Sequence, residues 1–121
     1  MNKILSAVSF LGAITVLLGA FGAHYLQEAL TAAQLKSFET GVRYQMFHVI
    51  VLLFINSYLQ FSSINKRVLN YLFFVGILFF SGSIYAICFG VNPKYIWPLT
   101  PIGGMLFVLG WVKMGVVFFR K

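Results

Sequence analysis

The side chains able to do chemistry gather in one stretch, Phe38 to His48, which reads Phe-Glu-Thr-Gly-Val-Arg-Tyr-Gln-Met-Phe-His. It holds Glu39, one of two acidic residues in the chain, with Arg43, Tyr44, Gln45 and one of two histidines, His48. Glu39 and Arg43 are four apart, the spacing at which opposite charges meet on a helix face. Such a pair can close the rim of a helix bundle. Alternatively, the guanidinium fork can hold an anionic headgroup or a substrate carboxylate. His48 follows Tyr44 by four and shares its face, with Gln45 one step around. His24 ends an earlier apolar run. If the two runs form an antiparallel hairpin, the imidazoles stand at matching depth and could ligate haem or a metal, or pass a proton. The plainer use of each imidazole is a hydrogen bond to a neighbouring helix or a headgroup. Two histidines without a third ligand type make a poor metal site. The reading is therefore a polar or ligand-binding cluster of His24, Glu39, Arg43, Tyr44, Gln45 and His48, with no catalytic residue, metal or cofactor assigned.

The other polar islands offer less. Ser81-Gly82-Ser83 has no acid or base placed to activate a hydroxyl. Gly103-Gly104 lacks the spacing and the preceding strand of a phosphate-binding loop. Both read as small residues for close helix packing, as do Gly19 and Ala23, which continue from Thr15 at every fourth position, and Gly82, Ala86 and Gly90. Cys88 is the single cysteine, so neither an intrachain disulfide nor a thiolate cluster can form.

What must position these residues is a membrane bundle. The chain has 121 residues, 60% of them hydrophobic and 9% charged, with a mean hydropathy of +0.91. A single soluble domain of this length cannot bury so much apolar surface. Four stretches are long enough to cross a bilayer, about 4–23, 42–59, 68–89 and 99–119. Met1-Asn2-Lys3 resembles the start of a signal peptide, but the apolar run behind it is longer than a usual signal core, so it reads as a retained first span. Thr31 and Gln34 form a capping box that starts a helix near Ala32. No proline interrupts that helix before about Leu59, so its first third, to about Gly41, lies at the interface ahead of the second span. Asn92-Pro93 marks a turn, Tyr95 and Trp97 an interface anchor, and Thr100 an N-cap for the fourth span.

The formal charge of +7 comes from scattered residues that build no basic face, which argues against nucleic acid. It orients the chain instead. Lys3, Lys66, Arg67, Lys113, Arg120 and Lys121 fall on one side, and Lys36, Arg43 and Lys94 on the other with both glutamates. Both termini are thus expected in the cytoplasm.

Several motifs occur in order: Gly19-Ala20-Phe21-Gly22-Ala23-His24, Thr40 to His48, Phe80-Ser81-Gly82-Ser83-Ile84-Tyr85, and Thr100-Pro101-Ile102-Gly103-Gly104 with Gly110-Trp111. Together they resemble the bacterial membrane protein family numbered four-two-three among domains of unknown function, itself similar to a small eukaryotic transmembrane protein. The resemblance spans nearly the whole chain. It implies a four-span protein of the bacterial inner membrane, and no particular reaction, cofactor or catalytic residue.

The sequence thus predicts an all-α, four-helix membrane bundle with a short interfacial helical segment before the second span. Its expected role is non-enzymatic: support of the envelope or of a partner complex, with membrane lipids, a second copy or another membrane protein as partners. Two alternatives are an oligomeric transporter or channel component, and a haem- or redox-linked protein using the two histidines. The first is weakened because Glu28 and Glu39 both lie outside the span interiors, where a small multidrug exporter needs its acid.

Overall fold

The computed structural model describes residues 2–121; Met1, the first residue of the signal-like Met1-Asn2-Lys3, lies outside them. The chain is all-helical: α1 Lys3–Tyr25, α2 Ala32–Ser57, α3 Ser63–Cys88, a single turn α4 Pro93–Ile96, and α5 Leu99–Phe119. α1, α2, α3 and the continuous α4–α5 segment each have the length and apolar character to cross a membrane. Local chemistry sets the starts. The Asn2 side chain accepts from Leu5 N–H, Thr31 and Gln34 close the reciprocal capping box, and the Ser62 hydroxyl accepts from Asn65 N–H. Gly90, at φ +115°, takes the chain out of α3 through a conformation that a Cβ would strain.

One local expectation holds and one needs adjustment. The helix that starts at Ala32 runs unbroken into the second span, and the segment ahead of that span forms its opening turns. Thr100 does not cap the last span. That helix starts at Leu99 after Pro98, without a side-chain cap bond, and Thr100 sits inside its first turn, where its hydroxyl meets that of Ser83. Pro98 and Pro101 bring no N–H that would need a cap there, and the Thr100 hydroxyl turns across to α3 instead.

The spans pack in the order α1, α2, α3, α5, each antiparallel to the next in chain order. α1 lies mainly on α2, fully buries Val8, Thr15 and Gly22, packs Leu11 and Leu18 part-way, and leaves most of its other residues exposed. The core lies among α2, α3 and α5, around Leu52, Ile55, Leu69, Phe73 and Phe107.

The α3–α5 seam is an interlock of phenylalanines and glycines. Phe73 rests on Gly110, Phe107 rests on Gly76, and the backbone of Phe80 lies against Gly103. A Cβ added at any of these three glycines would sit 2.3–2.7 Å from its neighbour. Close approach of backbones is how helices gain packing in lipid, where no hydrophobic force drives them together. α1 and α2 use the same device once, at Gly22 against Phe38.

The packing glycines are only partly those expected. Gly103 is among them, whereas a Cβ on Gly104 would make ordinary contact with Phe80 at 3.7 Å. Gly19 approaches Val42 at ordinary distance, and the tight neighbour on α1 is Gly22 rather than the exposed Ala23. Gly82 would meet only Leu78 of its own helix, at 3.9 Å, so the Gly82–Ala86 row is not a close helix contact. Small residues four apart permit close approach without dictating which face is used.

Candidate functional site

The polar residues of the second span divide between the rim and the core. Glu39 and Arg43 are exposed and line one shallow cleft with Lys36 and Thr40. Among the described residues no salt bridge joins the two side chains, so the expected i, i+4 ion pair is not formed. In water an exposed pair gains little over separate hydration, and side-chain entropy keeps the two apart.

Gln45, two turns after Phe38 on the buried face, ties three helices together. Its Nε2 donates to Thr15 Oγ1 of α1 at 2.7 Å, and its Oε1 accepts from the Tyr85 hydroxyl of α3 at 2.7 Å. The Thr15 hydroxyl passes its own proton to the Leu11 carbonyl, 2.7 Å away. Each polar side-chain atom of this buried chain thereby has a partner. One step along the same seam, the Ser81 hydroxyl donates to the Gly41 carbonyl at 2.7 Å. Gly41 keeps that approach close: a Cβ there would stand 3.1 Å from the Tyr85 ring, which would have to give by a few tenths of an ångström.

His48 is buried, with 4% of its surface exposed. Its ring lies flat on Phe107 with centroids 3.7 Å apart, and Phe73 and Trp111 flank it. Nδ1 is 2.6 Å from the Tyr44 carbonyl, and Trp111 Nε1–H donates to Nε2 at 3.1 Å. A carbonyl can only accept and an indole N–H can only donate. Together they fix a neutral imidazole protonated on Nδ1. Such a ring has its one lone pair and its one N–H proton both engaged, leaving neither free for a metal or a proton relay. Tyr44 stays half-open beside it, its ring 5.0 Å from that of Phe80.

His24 does not join this cluster. Gly12 faces Val49, Thr15 bonds Gln45 and Gly22 faces Phe38, so the exposed His24 stands level with about residue 36 of α2. That is roughly 18 Å along the helix axis from His48, at about 1.5 Å per residue. The matching depth expected of the two histidines is absent, and with it the geometry for a shared haem.

The structure also recruits residues that the sequence does not assign to the cluster: Tyr85 and Trp111, which the sequence shows only within the family motifs, and the pair Asn56 and Asn70. The two asparagine amides exchange reciprocal hydrogen bonds at 2.8 and 2.9 Å across α2 and α3. Their signal was present as lone carboxamides near the ends of apolar runs, where a polar group must find a partner. Among the described residues, every buried side-chain nitrogen and oxygen has a hydrogen-bond partner. Outside this core, an open groove of about 490 Å³ runs between α2 and α5 beside His48, lined by Tyr44, Phe47, Val108 and Trp111. Its walls are almost wholly apolar and suit an acyl chain better than a polar solute.

Comparison with known proteins agrees with this architecture. Residues 18–104 match the family described as protein of unknown function DUF423. A UPF0382 membrane protein of Haemophilus influenzae is 40% identical, over 99% of this chain and 96% of its own. The UPF0382 membrane protein SAB0533 of Staphylococcus aureus is 39% identical, over 91% of this chain and 93% of its own. The UPF0382 inner membrane protein YgdD of Escherichia coli K12 is 34% identical, over 92% of this chain and 83% of its own. No solved structure matches.

Proposed function

The chain belongs to the DUF423 family of bacterial membrane proteins, and from that premise we propose a non-catalytic role: a small packed bundle that supports the envelope or a partner complex. The observation that carries this reading is the saturation of the polar core. The buried side-chain donors and acceptors of the described residues are all paired, so Gln45, His48, Ser81 and Asn56 serve as ties between spans rather than as reagents. Polar groups inside a membrane usually mark a pathway or a proton relay; here they are spent on one another.

In this reading the protein resides in the bacterial inner membrane with both termini in the cytoplasm, the side that holds the excess of Lys and Arg. Its partners are lipids and a second copy or another membrane protein. Photocrosslinking residues placed at lipid-facing positions of each span, in cells, test the role. Capture of self or of a defined membrane protein is expected. Capture of lipid alone from every position overturns it, as does flux of a cation, anion or neutral solute above background in proteoliposomes.

A further inference from the structure

The end of the bundle that carries the termini has a charge problem the chain does not solve. Both acidic residues, Glu28 and Glu39, belong to the opposite end, where α1 leads into α2. At the termini's end stand Lys3, Lys66, Arg67, Arg120 and Lys121, with Lys113 beside the last two, and no carboxylate side chain balances them. Lys121 is engaged within the fold. Its ammonium lies 4.8 Å from the Tyr58 ring centroid, near Phe61 and Phe118, and donates to the Gln60 carbonyl. Lys66 and Arg67 have no such partner among the described residues and instead line a cleft of about 620 Å³.

The cleft exists because α1 packs on α2 and leaves a crevice towards α3. Its upper part is polar and cationic, with Lys66, Arg67 and Ser63. Its lower part is apolar, with Ile4 from α1 and Phe74 and Val75 from α3. The Asn56–Asn70 pair stands at its wall, with the four bonded amide atoms turned to each other.

We propose that this cleft is a binding site for an anionic phospholipid. The phosphate sits against Lys66 and Arg67 and the first part of one acyl chain lies between α1 and α3. Two cations with no acid facing them suit a phosphate that carries net charge, and the guanidinium adds a bidentate fork. A zwitterionic lipid brings its own ammonium to the same place and loses that gain. The apolar floor gives the site an acyl chain to bind, which a soluble phosphate cannot use. The site needs only the four spans and stands independently of the non-catalytic role.

The test is native mass spectrometry of the full chain released from mixed micelles holding phosphatidylglycerol and phosphatidylcholine in equal amounts. The wild type should retain phosphatidylglycerol about tenfold over phosphatidylcholine, and Lys66→Gln with Arg67→Gln should bring the ratio near one. Lys36→Gln with Lys94→Gln, at the other end, should leave it unchanged. Raising salt from about 0.05 to about 0.5 M should weaken the wild-type preference, which reads the charge without any variant. Equal retention of both lipids by the wild type overturns the proposal, as does a preference that survives the Lys66/Arg67 change. Displacement of the lipid by millimolar inorganic phosphate also overturns it, by showing a simple anion site.

Discussion

Gly103 and Gly104 are neighbours in sequence and should respond oppositely to the same methyl group. A Cβ at position 103 would sit 2.3 Å from the Phe80 amide nitrogen and 2.8 Å from its Cα, whereas one at 104 would sit 3.7 Å from the Phe80 ring. The first clash is with backbone, which no rotamer change can relieve, so α3 and α5 must part by about 1 Å to restore ordinary contact. A gap of about 0.5–1 Å forfeits a quarter to a half of each dispersion contact across it. The opening would also lift Phe107 from Gly76 and Phe73 from Gly110, one and two turns further along α5. Overpacking of this kind costs about 1–3 kcal/mol, and a backbone clash belongs at the upper end. Gly103→Ala should therefore cost about 3 kcal/mol, over a hundredfold in the unfolding equilibrium. Gly104→Ala should stay within about 0.5 kcal/mol, as expected for a site with no tight neighbour. The assay is reversible unfolding in mixed detergent, read by Trp111 fluorescence in a Trp97→Phe background. Trp111 packs against Phe73 and so reports the α3–α5 seam directly. Equal effects of the two substitutions, or a neutral Gly103→Ala, would refute the interlock.

Two further outcomes follow from the polar core. Gln45→Leu removes the acceptor of Tyr85 and the donor to Thr15. In a membrane each such tie is worth about 0.6 kcal/mol on average and about 1.7 at most, so a loss of about 1 kcal/mol is expected by the same unfolding assay. Tyr85→Phe should cost nearly nothing more once Gln45→Leu is present; additive losses would show that the two side chains act separately. The separation of His24 and His48, with His48 committed at both nitrogens, predicts that added haemin yields no bis-histidine absorption spectrum. A sharp bis-histidine Soret band that vanishes in His48→Gln would contradict the placement of both rings.

How far the sequence reveals this structure depends on whether one residue type has one use. A stretch of about twenty mostly apolar residues in a chain this hydrophobic has only a membrane to go to, and four such stretches settle the fold class. The capping box at Thr31 is equally local: its residues are three apart and need nothing from the rest of the chain, and it forms as expected. Side chains with several uses were less legible. Glu39 and Arg43 have the spacing of a pair, but both are exposed and water competes for each. His48 was visible as a polar residue in a span. The partners that fix its role, the Tyr44 carbonyl and Trp111, are 4 and 63 residues away, and only the second depends on how α5 docks. A hairpin of matched depth would bring His24 into the same cluster, whereas the six residues between Tyr25 and Ala32 join helices whose register carries His24 past the rim.

The α3–α5 seam was legible in a way that small-residue rows do not capture. Read along α3, the order is Phe73, Gly76, Phe80; read along α5, it is Gly103, Phe107, Gly110. The steps are three then four in the first and four then three in the second, so antiparallel docking sets each phenylalanine position against a glycine. A row of small residues alone, such as Gly82 and Ala86, says only that a helix could approach. A mirrored large–small pattern says which helix approaches, in which direction and at which register, because a slip by about one turn sets Phe107 against Phe73 or Phe80. Specificity of helix pairing in lipid rests on that shape match, since apolar surface is no scarcer on one face than another. The polar ties at Gln45, His48 and Asn56 act on the same alignment from the α2 side. A core determined this tightly from both sides leaves no buried side-chain polar atom of the described residues unpaired, and the residues that carry charge collect towards the two ends of the spans.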